Sequence, residues 1–228
     1  DRRQRQMCIR DSIIIALFST VFIACDDKKN DDSPLTGSWT YEEPHFQFEY
    51  AEDSIVFQIM QEPYKKKVED LKTEFLAMAT EKMGAYFKGV DFKNDGTLKI
   101  NMSLQGGTTM AMGGTYKTDG KYVQINLDTE ILQQIMGGNI PQIPAISFTY
   151  TLQNNKLLLY FDKVYVNSLV RTIMGNEELR SKILSLIPGF DRIPEQALPA
   201  VIQSLNEQIT GILNKTETLE LGFILQRQ

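Results

Sequence analysis

The side chains that most often carry chemistry are scarce in this chain and poorly spaced for it. His45 is the single His among 228 residues, so no spare imidazole exists from which to assemble a histidine-based zinc site or a Ser-His-Asp system. His45 therefore reads as a loop or strand-edge residue. Asp91-Phe92-Lys93-Asn94-Asp95-Gly96 has the outline of a calcium loop, but Lys93 stands where an oxygen ligand is required and Met102 where the closing Glu belongs. The Asp95-Gly96 pair reads better as a hairpin turn. A glycosidase needs only two carboxylates. The pairs Glu52-Asp53, Glu69-Asp70 and Glu177-Glu178 are each adjacent in sequence, so their side chains point apart and read as solvated surface. With no phosphate-binding loop either, the expectation is a non-enzymatic protein that takes no metal and no cofactor.

The methionines are more suggestive. Of nine in the chain, eight follow the N-terminal apolar run: Met60, Met78, Met83, Met102, Met110, Met112, Met136 and Met174. Met is unbranched and polarizable, so a Met-lined wall adapts to irregular apolar ligands, and it fills ordinary cores for the same reason. In Met110-Ala111-Met112-Gly113-Gly114, small residues beside the Met leave space. The lone Trp, Trp39, lies in a Gly37-x-Trp39 pattern. The candidate ligand cavity is accordingly Trp39, Met102, Met110, Met112, Phe148 and Tyr150.

These residues need elements to hold them. From Leu35 onward the hydropathy mostly alternates with period two between turn signals, the mark of antiparallel strands. Leu35 to Tyr41 and Phe46 to Tyr50 open the series, and Ser54 to Met60 is a strand or the lead-in to a helix. Leu98, Ile100, Met102 and Leu104 then share one face; Tyr116 and Tyr122 to Leu127 flank an Asp119-Gly120 turn. Ile146, Phe148, Tyr150 and Leu152 alternate up to Gln153-Asn154-Asn155, followed by Lys156 to Phe161 and a last strand from Thr218 to Leu225. About eight strands suffice for a small closed barrel whose interior holds side chains or one ligand.

Two stretches fall outside that pattern. Tyr64, Val68, Leu71, Phe75, Met78 and Tyr86 recur at helical spacing, predicting an amphipathic helix over Glu62 to Lys88, with Pro63 in its first turn and Gly89 at its end. Residues 164–215 read as helices over Leu169 to Met174, Glu177 to Leu186 and Pro194 to Leu213, separated by Gly175, Pro188-Gly189 and Pro194. Inserted before the last strand, they are expected against one end or side of the barrel. As a lid they would turn Ile187 and Phe190 toward the cavity, hinging at the breaks. An exposed stripe of Val201, Leu205, Ile209 and Ile212 would instead mark a partner surface, and burial is preferred because such a stripe invites aggregation.

Composition bounds the rest. At 42% hydrophobic and 23% charged, with 24 basic against 29 acidic residues, the chain is a globular domain rather than a disordered, collagenous or polytopic membrane protein. The acidic balance excludes a nucleic-acid partner, which needs a basic face. Two Cys cannot make a disulfide framework.

Residues 1–12 lack an initiating Met at position 1 and resemble translated sequencing-adaptor sequence, which would make Cys8 non-native; the alternative is a basic segment starting at Met7 with Arg10. Ile13 to Ala24 is an uncharged apolar run of ~18 Å as a helix, too short for a ~30 Å hydrocarbon core, so residues 1–24 read as a signal peptide. Phe22-Ile23-Ala24-Cys25 resembles the lipobox of bacterial lipoproteins, with Phe where Leu is usual; Cys25 would then be lipidated and become the mature N-terminus. An ordinary cleavage site beside an unlipidated Cys is the alternative. Residues 25–34, the lipidated Cys and the polar run DDKKNDDSP, form a tether, and Asp26-Asp27 and Asp31-Asp32 resemble acidic export signals of surface lipoproteins of Bacteroidetes. Processing removes four Arg and two Asp, leaving 20 basic and 27 acidic residues and a net charge of −7. A domain that acidic relies on lipid for anchoring.

Gly37-Ser38-Trp39-Thr40-Tyr41, the helix after it, Phe92 to Leu98, Gly114-Thr115-Tyr116, Leu158 to Lys163 and Leu221-Gly222-Phe223 together resemble a family of lipocalin-like lipoproteins of Bacteroidetes, a domain of unknown function. The resemblance spans nearly the whole mature chain in order. It implies a mainly β fold with helices, a lipocalin-like antiparallel barrel over residues 35–228, and an outer-membrane location; it carries no catalytic residues. It also implies that the Trp39 ring closes the barrel floor under a basic side chain from near the C-terminus, for which Arg227 is the candidate. The longer helical insertion and the Met-rich Thr108 to Gly114 segment depart from the pattern. The expected function is capture of an apolar or amphipathic small molecule by a lipid-anchored protein at the cell surface, the periplasmic face being the alternative location. The rival is a protein or glycan interaction module of an outer-membrane complex.

Overall fold

A computed structural model describes residues 33–59, 62–103, 107–128, 145–177, 180–181, 184 and 193–228. Its strands are β1 (Gly37–Tyr50), β2 (Ser54–Ile59), β3 (Glu62–Lys67), β4 (Phe87–Phe92), β5 (Thr97–Ser103), β6 (Thr109–Asp119), β7 (Tyr122–Leu127), β8 (Ile146–Gln153), β9 (Lys156–Asp162) and β10 (Thr216–Arg227). Its helices are α1 (Val68–Tyr86), α2 (Lys163–Gly175) and α3 (Leu198–Lys215). The chain divides into two compact units: residues 33–46, 75–162 and 220–228 form one, and residues 47–74 and 163–219 the other.

The first unit is a closed barrel in the order β1-β10-β9-β8-β7-β6-β5-β4. Seven neighbouring pairs, from β1–β4 round to β9–β10, are antiparallel, and β10 also lies beside β1, where the Gln228 N–H donates to the Ser38 carbonyl at 3.0 Å, so sequence neighbours are space neighbours from β4 to β10. This is the up-and-down order of a lipocalin-like barrel. Alternation decides which side chains turn inward. Cross-strand partners Leu98 and Gly114, Tyr116 and Ile125, Val123 and Phe148, Tyr150 and Leu159, and Leu157 and Leu225 share the inner face. The turns β4–β5, β6–β7 and β8–β9 lie at one end with the start of β1 and the end of β10. That end is the floor, and the opposite end the mouth. Asn154 and Asn155, at φ 51° and 62°, make the β8–β9 turn where the sequence predicts it.

The expected helix over Glu62 to Lys88 is corrected at both ends. Glu62 to Lys67 pairs antiparallel with β2, Pro63 opposite Gln58. A two-stranded sheet leaves outward backbone positions unpaired, so a residue without an N–H costs nothing there. The helix begins only at Val68, whose N–H reaches the Asp53 carbonyl at 2.9 Å, and Glu69 and Asp70 favour its positive end. Its far end yields β4, a strand the helical spacing concealed. Gly89, expected as a helix stop, sits inside β4 at φ 151° beside a register shift. A Cβ there would stand 2.1 Å from the Trp39 carbonyl oxygen, so the backbones of β1 and β4 meet only over glycine.

In the second unit Phe48, Ile55, Val68, Leu169, Ile173, Leu184, Leu213 and Leu219 are buried. The Gln208 amide nitrogen donates to the Gln58 carbonyl at 3.0 Å, tying α3 to β2. Thr216 caps α3, its hydroxyl donating to the Ile212 carbonyl at 2.8 Å. Of the insertion expected over residues 164–215, α2 and α3 belong to this unit. Val201, Leu205, Ile209 and Ile212 are partly buried. Most of the middle helix expected over 177–186 lies outside the described residues.

Candidate functional site

The floor is filled. Leu35, Leu157, Leu225 and Val123 have no exposed surface, and Trp39, Phe92 and Tyr116 have 2% or less. Small residues cannot close a barrel end, and the indole does it with its polar edge satisfied: Trp39 Nε1 donates to the Leu35 carbonyl at 2.7 Å. Arg227 lies over the ring, its guanidinium carbon 5.2 Å from the centroid, and Nη2 donates to the Thr36 carbonyl at 2.7 Å. Phe92 meets Tyr116 edge-on at 4.8 Å, and the Tyr116 hydroxyl donates to the Lys93 carbonyl at 2.8 Å. The Arg227 contact is the one the resemblance implies.

Toward the mouth the packing changes. An aromatic chain crosses the interior: Tyr41 to Phe87 at 5.7 Å, Phe87 to Phe223 at 4.8 Å, Phe223 to Phe148 at 5.9 Å, and Phe148 stacked on Phe161 at 4.3 Å. Met112 is buried against partly exposed Ile100 and Leu127. Met102 and Met110 are direct cross-strand partners, and both are partly exposed. Alternation puts Tyr41, Met102, Met110 and Met112 on the inner face, and the register shift in β4 brings Phe87 to it opposite Met102; Phe148, opposite Val123, and Phe223, opposite Leu159, stand at mid-barrel.

The structure therefore divides the residues selected from sequence. Met102, Met110 and Met112 form one wall at the mouth, and Phe148 stands in the layer below. Tyr150, paired with Leu159, is inward on β8 but nearer the floor, and Trp39 fills the floor instead of lining open space. Cys25, Ile187 and Phe190 lie outside the described residues. Sequence reasoning missed Tyr41, Phe87 and Phe223. Tyr41 was within reach, since it follows Trp39 by two on an alternating strand; Phe87 was hidden inside the helical spacing.

Charge stays on the outside. The inward positions described above are apolar, aromatic or glycine. On the outer face His45 pairs with Glu220 at 2.7 Å beside the Tyr160 ring at 5.9 Å, and burial, then Glu220, raises the Tyr160 phenol. Hydrogen bonds from Ser38 and Asn101 hold the Asp91 carboxyl below the usual range, Asn101 Nδ2 donating at 2.9 Å. Those contacts stitch β1, β4 and β5 where the barrel closes. Asp95 accepts from the Thr97 N–H at 2.9 Å and hydroxyl at 2.6 Å, the hairpin turn read from its sequence. Among the described residues no three His, Cys, Asp or Glu gather closely enough to hold a metal ion.

Neither a protein-family model nor a curated protein matches the chain. A crystal structure of a lipocalin-like protein from Bacteroides uniformis is similar at 15% identity and a TM-score of 0.31, covering 56% of this chain and 89% of that one.

Proposed function

We propose that the protein is a non-enzymatic, lipid-anchored envelope protein of the lipocalin-like lipoprotein type, which captures an apolar or amphipathic small molecule in the mouth half of its barrel. The observation that carries this reading is the contrast along the barrel axis. One end is sealed by Trp39, Phe92 and Tyr116, while inward Ile100, Met102, Met110 and Leu127 keep partial exposure. Inward apolar side chains that remain exposed forgo the stabilisation of burial, about 25 cal/mol per Å2, which a ligand would restore. Adaptable thioethers suit an irregular apolar occupant.

Native mass spectrometry of the purified protein tests this. A co-purifying small molecule, lost on exhaustive delipidation, is the expected result; its absence together with failure to take up an added apolar fluorophore would refute the reading. For the anchor, Cys25→Ala is expected to release the protein from membranes, and palmitate labelling that persists in this variant would refute it. A second reading, as a protein or glycan interaction module, draws on the second unit, where Val56 and Val164 are 55% and 77% exposed.

A further inference from the structure

The Tyr41 hydroxyl is buried and has no hydrogen-bond partner among the described residues. Phenols rarely stand so, because a buried donor without a partner forfeits its hydration. The ring is well held: it lies edge-on to Phe87 at 5.7 Å, and a methyl group built on Gly84 of α1 would touch it at 3.6 Å. Packing therefore accounts for the ring and leaves the hydroxyl unexplained. Tyr41 shares the inner face with Trp39 and adjoins the aromatic chain that runs through Phe223 to Phe148.

We propose that Tyr41 is the polar anchor of the barrel site, donating its hydroxyl hydrogen to an uncharged oxygen, an ester or ketone carbonyl or an alcohol, on an otherwise apolar ligand. The inference rests on the small-molecule reading above. Two observations select an uncharged oxygen over a carboxylate. The inward side chains described above for the mouth half include no Lys, Arg or His to neutralise an acid, Arg227 being at the floor. Glu43, two residues along β1, already opposes negative charge at Tyr41: burial first and Glu43 second raise the phenol to about 12. It therefore stays a donor at any physiological pH. Gly84 of the last turn of α1 lies beside the ring without a side chain.

The experiment compares the full chain with Tyr41→Phe, measuring direct binding of N-phenyl-1-naphthylamine, an uncharged fluorophore without oxygen, and its displacement by methyl palmitate and by palmitate. Wild type should bind methyl palmitate more tightly than palmitate. Tyr41→Phe should bind the fluorophore as wild type does, lose about three- to tenfold in affinity for methyl palmitate, and unfold at the same or a higher temperature, since it buries no orphaned hydroxyl. If wild type binds none of the three probes, the small-molecule reading falls and this inference with it. If the fluorophore binds but methyl palmitate is held equally by both proteins or by neither, only the role of Tyr41 is overturned. Palmitate bound as tightly as its ester by wild type overturns the preference for an uncharged oxygen.

Discussion

The two ends of the barrel are made from similar apolar residues and do opposite things with them. At the floor Leu35, Trp39, Phe92, Tyr116, Leu157 and Leu225 are enclosed, although Leu152 beside the β8–β9 turn keeps exposed surface, and polar groups there are paired: the indole nitrogen with Leu35, the Tyr116 hydroxyl with Lys93, the Arg227 guanidinium with Thr36. At the mouth Met102 and Met110 keep exposed surface and the Tyr41 hydroxyl lacks a partner. An interior that satisfies its polar groups is optimised for stability, and one that leaves them open is available for something else.

The sharpest break of this contrast is truncation. Trp39→Ala should cost about 3–5 kcal/mol, because a sealed site cannot collapse around the void. Met110→Ala should cost under about 1 kcal/mol, since part of that side chain is already in water. Chemical denaturation of the two variants measures both, and equal losses would erase the distinction between floor and mouth. Next comes Gly89→Ala, expected to lose about 2–3 kcal/mol from a Cβ that meets the Trp39 carbonyl oxygen at 2.1 Å and from a backbone at φ 151°. A circular-dichroism melt reads that loss, and near-wild-type stability would mean that β1 and β4 can separate at low cost.

The smallest effects are electrostatic and oppose each other in pH. Asp91 is held below the ordinary carboxyl value of about 4, so its contribution is full above that value and is lost as pH falls through it. Asp91→Asn should flatten the acid limb of stability against pH. Tyr41 is raised from 10.0 to about 12, so its contribution is full below the unfolded value and is lost as pH rises toward the folded one. Tyr41→Phe should flatten the alkaline limb with no loss of stability near neutrality, which thermal melts across the pH range would check.

Much of the barrel was legible because its strands carry their own signals. Leu98-x-Ile100-x-Met102 and Ile146-x-Phe148-x-Tyr150 state their inward faces by alternation, and Asp119-Gly120 and Asn154-Asn155 tolerate the positive φ that the turns need. The adjacent acidic pairs were legible as surface on the same grounds: Glu52, Asp53, Glu69 and Asp70 are exposed. What local pattern could not decide was pairing. Tyr64-Lys65-Lys66-Lys67 reads equally as a first helical turn or a strand, and it is a strand because β2 lies opposite; intrinsic strand preference depends on its neighbours. Gly89 looked like a helix stop, and only the approach of the Trp39 backbone makes it a bulge. For the candidate site, residue type alone chose the methionines but placed Trp39 among them, since a Gly-x-Trp pattern carries no record of which barrel end it will occupy. Nor does any sequence spacing show whether a buried hydroxyl finds an acceptor, because that acceptor comes from strands and helices distant along the chain. Tyr41 could be set on the inner face by counting two from Trp39; that it stands there unpaired is a property of the assembled barrel alone.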